Sequence, residues 1–321
     1  MAWLAALFEF KSAMRPPVAM AIYLLAVFMG AALIAPWFYL SSHWLGETLH
    51  ATGITRHPFH RYVSRSLMAF AIIGLFPFLR SLQLRSWGAV GIRKSPKTGF
   101  DLGCGLFLGF SLLGIVALAA CLSGARVFDL HQHTGEILKH LLNASLAAIF
   151  ASILEELLFR GVLFGGLRKR LAFWSAALLS AAVYALVHFF ERPASPAQID
   201  WASGFVVLGR MLEGFNHFEK LVPGFFNLAL LGCILALAYE RSKTLYFSIG
   251  LHTGLIFWVK TYSFFTSSPA GTSNSFWGSG KLVDGWVSTI ALGVGLLLVQ
   301  VLRPKFDNLV VSNREEYPHT A

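Results

Sequence analysis

Apolar runs close to twenty residues long recur along this chain, and that recurrence limits the fold more than any single residue does. They lie at about 17–40, 62–79, 101–122, 141–167, 172–190, 222–240, 245–262 and 283–302. A run of ~20 apolar residues coiled as a helix crosses a hydrocarbon core of ~30 Å. Inside that core every backbone amide needs an internal partner, so a spanning segment is a helix or a strand of a closed barrel. The runs are too long and too uniformly apolar for the alternating pattern of barrel strands. Hydrophobic residues make up 56% of the 321, charged residues only 13%, and the mean hydropathy is +0.62; a soluble domain carries about 25% charged residues. Too little polar sequence is left for a soluble domain. The chain reads as all-α, a polytopic transmembrane helix bundle of about eight spans, with residues 1–321 forming a single membrane domain.

The formal net charge of +10 is not accompanied by a basic stripe or an aromatic platform, so nucleic acid is excluded as a partner and the lipid bilayer takes its place. With the N-terminus inside, 15 of the 26 Lys and Arg residues fall on the inner side, 10 on the outer side, and Arg160 inside a span. The clusters at 93–97 and 168–170 carry most of that bias. It places both termini in the cytoplasm, in an arrangement that suits the inner or plasma membrane of a prokaryote. Cys104, Cys121 and Cys233 all sit in apolar runs without metal-type spacing and read as packing residues. The first 17 residues read as an interfacial amphipathic lead-in, with no cleavable signal. Between spans, 191–220 carries an apolar patch at 205–208 suited to lying on or dipping into the membrane, and 263–281 is Ser/Gly-rich.

The fourth span, ASLAAIFASILEELLFRGVLFGG, holds Glu155, Glu156 and Arg160 within an apolar helix. A charge at mid-membrane costs at least ~2.5–3.5 kcal/mol and is read as functional by default. Glu156 and Arg160 are four residues apart with the acid first, the favourable order for an ion pair on one helix face. Glu155 points about 100° away and is left for chemistry. This span alone suits a buried packing network or a transport-type charge site equally well. The fifth span adds His188, with Tyr184 one turn before it, and the seventh adds His252. Three spans that each bring an intramembrane Glu or His into hydrocarbon supply one another's cheapest partners. Together a carboxylate and two imidazoles offer a general base, a proton shuttle and an electrophile. On these span limits His188 lies near the outer end of its helix and His252 nearer the middle of its own, so convergence requires tilted or offset helices.

These residues resemble the motifs of the CPBP family of intramembrane proteases (CAAX protease and bacteriocin-processing, or Abi), which includes the type II CAAX prenyl endopeptidases. The family's motifs EExxxR, FxxxH and HxxxN/D fall on membrane helices in that order. Glu155-Glu156-Leu-Leu-Phe-Arg160 matches the first, Tyr184-Ala-Leu-Val-His188 the second with Tyr for Phe, and His252-Thr-Gly-Leu-Ile256 the third in its histidine alone. The resemblance spans about 140–260, which it marks as the catalytic core. It implies an endopeptidase in which Glu155, with His188, activates a water, His252 helps hold the oxyanion, and Glu156, Arg160 and Tyr184 support the site. Ile256 removes an expected polar group; a lost oxyanion donor costs about 10²–10³ in rate.

The glutamate reading requires no cofactor. The family has also been described as metalloproteases, and Glu155, His188 and His252 with a water would complete a zinc site, although no HExxH motif is present. His43, His50, His57, His60, His131, His133 and His140 read as loop histidines. The implied partner is a peptide or protein substrate, prenylated or leader-like, itself suited to membrane anchoring. Two other classes compete. A proton-coupled transporter would show repeat symmetry and paired broken helices, which the chain lacks. A family member kept for immunity or binding without cleavage accords with Ile256.

Overall fold

The structure, a computed structural model, describes residues 15–50, 57–82, 86–93, 95–191, 193–216 and 221–315. Most of the N-terminal lead-in, and Arg56, Arg85, Lys94, Arg192 and Lys220 from the charge count, lie outside these residues. Each apolar range is a helix: α1 Pro16–Thr48, α2 Phe59–Ser81, α3 Thr98–Leu122, α4 Thr134–Glu156, α5 Phe173–His188, α7 Gly224–Ser242, α8 Tyr246–Phe265 and α9 Trp286–Glu315, with a shorter α6, Ser203–Met211, between α5 and α7. The only β pairing among the described residues joins β1, Val127–Phe128, antiparallel to β2, Thr266–Ser267. Four helices, α1, α2, α3 and α7, are each long and apolar enough to cross a membrane by themselves. The apolar stretches of α5 and α9 are shorter, and α4 and α8 carry the polar residues of interest. The chain is an integral membrane protein built as a helix bundle.

Two compact units divide the chain. The first comprises residues 1–85 and 187–218, the second 86–186 and 219–321. In the first, α1 packs on α2 and α6. The apolar patch at 205–208 is split: Val207, with Met211, is buried in a core with Ala35, Phe59 and Val63, while Val206 is exposed. Gly204 makes this possible, because a Cβ there would land on the Ala32 carbonyl.

In the second unit α8 runs against α3 and α4, and α7 against α8 and α9. The contact of α3 with α8 is backbone to backbone. A Cβ on Gly105 or Gly109 would strike the Phe247 or Leu251 carbonyl oxygen, and one on Gly250 or Gly254 would strike α3 at Leu102 and Leu106. Without a hydrophobic drive between helices in lipid, small residues four apart let two backbones close to van der Waals distance. Here each helix contributes such a pair, and His252 lies between the two glycines of α8. Asn227 of α7, fully buried, ties the start of α9 down: its amide nitrogen donates to the Val283 and Gly285 carbonyls at 2.9 and 3.0 Å, and its oxygen accepts from Thr289 at 2.7 Å.

Several histidines read as loop residues are helical: His43 on α1, His60 on α2 and His140 on α4. His140 stacks on Phe264 with ring centres 3.8 Å apart and faces the Lys260 carbonyl at 3.1 Å.

Candidate active site

Helix α4 does not end at Glu156 but changes register, continuing as a π-helix over Leu157–Phe164 and then a short α turn, Gly165–Arg168. Single π segments inside α-helices concentrate at functional sites. This one begins beside the carboxylate pair, and Phe159 to Phe164 are all buried. Arg160 is 2% exposed and bonds through Nη1 to Glu156 Oε1 at 2.8 Å, the ion pair expected from the spacing. Its Nη2 donates to the Gly232 carbonyl of α7 at 3.4 Å, and its guanidinium lies 4.7 Å from the centre of the Tyr184 ring.

The other partner of Glu156 was not legible in the sequence. His252, 1% exposed, places Nδ1 2.9 Å from the same Oε1 that receives Arg160. A carboxylate in an ion pair only accepts, so Nδ1 carries the proton and Nε2 is the nitrogen left to face the site. Nε2 lies 3.7 Å from Glu155 Oε2 and 3.3 Å from the Tyr184 hydroxyl. The Glu155 side chain keeps 25% of its surface exposed, while Glu156 keeps none. Glu156 therefore holds one nitrogen of the imidazole from within the protein, and the partly exposed Glu155 lies 3.7 Å from the other.

Tyr184 is 2% exposed, set edge-on against Phe159 at 5.2 Å. His188 is four residues further on and is the exposed last residue of α5. It belongs to the first compact unit, whereas Glu155, Glu156, Arg160, Tyr184 and His252 belong to the second. Ile256, one turn after His252, is half-buried and contributes no polar atom. Nearby hydroxyls are committed: Ser152 and Thr253 bond each other at 2.6 Å and also bond backbone carbonyls, and Ser248 bonds the Leu245 carbonyl.

Among the described residues no three His, Cys, Asp or Glu side chains are grouped to hold a metal ion.

The arrangement places a partly exposed carboxylate beside an imidazole of fixed orientation that is hydrogen-bonded to a phenolic hydroxyl. Residues 137–258 match the model of the family described as type II CAAX prenyl endopeptidase Rce1-like. No curated protein and no solved structure matches the chain.

Proposed function

We propose that this chain, whose residues 137–258 belong to the Rce1-like family of type II CAAX prenyl endopeptidases, hydrolyses a peptide bond of a membrane-anchored substrate with a water activated by Glu155. The observation that carries this reading is the placement of Glu155 3.7 Å from Nε2 of His252, an imidazole whose other nitrogen is held by the buried Glu156–Arg160 pair.

In this mechanism Glu155 takes a proton from water as the oxygen adds to the scissile carbonyl carbon. The tetrahedral intermediate carries its charge on the former carbonyl oxygen, next to the His252 side of the cluster. When the C–N bond breaks, Glu155 returns the proton to the leaving nitrogen, so one carboxylate serves as base and then as acid. The resemblance of Tyr184-Ala-Leu-Val-His188 to the family's second motif assigns His188 as the second imidazole. Glu156 and Arg160 hold His252 and touch no substrate. No step is routed through a metal. The substrate class is a CAAX-type C-terminus or a leader-like segment presented from the bilayer, and both termini of the enzyme are placed in the cytoplasm.

The test uses purified full-length protein in lipid nanodiscs with two quenched fluorescent peptides, one prenylated at a C-terminal CAAX cysteine and one a transmembrane leader segment. Glu155→Gln abolishes cleavage of the accepted peptide while the melting temperature stays within a few degrees of the parent. Cleavage by Glu155→Gln at the parent rate, or loss of the parent's activity to a chelator with recovery on adding zinc, overturns the glutamate mechanism.

A further inference from the structure

We infer that the Tyr184 hydroxyl is a catalytic hydrogen-bond donor, the group that receives the oxyanion of the tetrahedral intermediate; this rests on the peptidase reading above. The starting point is the tautomer of His252. Its Nδ1–H is spent on Glu156 at 2.9 Å, so in the neutral ring Nε2 is a lone pair and donates to nothing. An imidazole held in that state does not by itself stabilise an oxyanion. The O–H that does lie there is that of Tyr184, 3.3 Å from Nε2 on the side where Glu155 stands.

The phenol is placed for the task. Its ring is fixed between Phe159, edge-on at 5.2 Å, and the Arg160 guanidinium, 4.7 Å from its centre. The position one turn beyond His252, where a polar side chain would share the load, is occupied by Ile256. The hydroxyls of Ser152, Thr253 and Ser248 are tied to backbone carbonyls. A donor whose ring is already held in place, so that only its O–H turns as charge develops, stabilises the transition state more than the ground state.

The protons balance within the cluster. At rest the phenol donates to Nε2. As the oxyanion forms, the O–H turns to this stronger acceptor. The proton that Glu155 took from water is then shared with the vacated Nε2, only 3.7 Å away. It returns through Glu155 to the leaving nitrogen when the C–N bond breaks, and the phenol swings back to the ring. The phenol never ionises.

Tyr184→Phe removes one oxygen atom and keeps the ring. In nanodiscs it lowers kcat by about 10²–10³, the loss typical of one oxyanion donor, with KM and melting temperature unchanged. It weakens binding of a phosphonate transition-state analogue of the cleaved peptide by a comparable factor, but not binding of the uncleaved peptide to Glu155→Gln. Adding Ile256→Asn to Tyr184→Phe restores part of the lost kcat by supplying a donor from the neighbouring turn. Full activity in Tyr184→Phe, or equal weakening of analogue and substrate, overturns the assignment while leaving the peptidase reading intact. That reading falls separately if Glu155→Gln is active.

Discussion

Glu156 Oε1 receives two hydrogen bonds, from Arg160 at 2.8 Å and from His252 at 2.9 Å. One buried oxygen thus couples the ion pair within its own helix to the histidine of another. Removing one member of a buried charge pair leaves the other uncompensated, at a cost of about 3–5 kcal/mol. Glu156→Ala and Arg160→Ala should each lower the yield of folded protein, as measured by size-exclusion chromatography in detergent. Glu155→Gln should not, since that side chain is partly exposed. Equal loss of yield in all three would abolish the distinction between the two glutamates.

The glycine seam between α3 and α8 gives a sharper stability test. Gly109→Ala puts a methyl on the Leu251 carbonyl, and backbone cannot step aside as a side chain can. Overpacking of this kind costs about 1–3 kcal/mol, read as a lower melting temperature. Gly103→Ala, on the same helix with nothing within 4 Å, is the control and should melt no lower than the parent. Equal melting of the two variants would show that the backbones do not meet there.

His188 is exposed at the end of its helix, so its removal should cost activity and little stability. His188→Ala is expected to cut turnover of the accepted peptide by about 10²–10⁴, the range for a positioned acid–base partner. Unchanged turnover would remove His188 from the mechanism.

The charge bias predicts which loops face which side. In a variant with Cys104, Cys121 and Cys233 replaced, a cysteine at Ser273 should react with a membrane-impermeant maleimide in intact cells. One at Ser95 should react only after permeabilisation. The reverse pattern would invert the orientation.

How much of this was legible beforehand follows from the range of each interaction. Helix location depends on local composition, and a helix stands at each of the eight apolar ranges. The Glu156–Arg160 pair is four residues apart and was readable as spacing. The Glu156–His252 bond joins residues 96 apart, and no local pattern announces it. The glycines of α3 and α8 each carry a readable four-residue spacing, but nothing in either helix names the other. Segment 205–208 is readable as an apolar patch, but the packing of Val207 beside Gly204's close approach to α1 is a tertiary fact. Asn227 is one polar residue in an apolar run, and its partners, the Val283 and Gly285 carbonyls and the Thr289 hydroxyl, lie more than fifty residues away.

The π segment Leu157–Phe164 has a geometric consequence beyond the residues it contains. A π turn accommodates one residue more than an α turn, and each α-helical residue advances the helix by about 100°. The residues after Phe164 are therefore rotated from where an unbroken α-helix would carry them. Arg168 stands in the rotated part, where its Nη2 meets Glu240 Oε1 of α7 at 3.1 Å. Deleting one residue between 161 and 164 would relax the backbone to α, leave Glu155, Glu156 and Arg160 in place, and swing Arg168 off Glu240. The π segment acts as an angular offset within one continuous run of helix, with the Glu156–Arg160 pair at its start and the Arg168–Glu240 contact beyond its end.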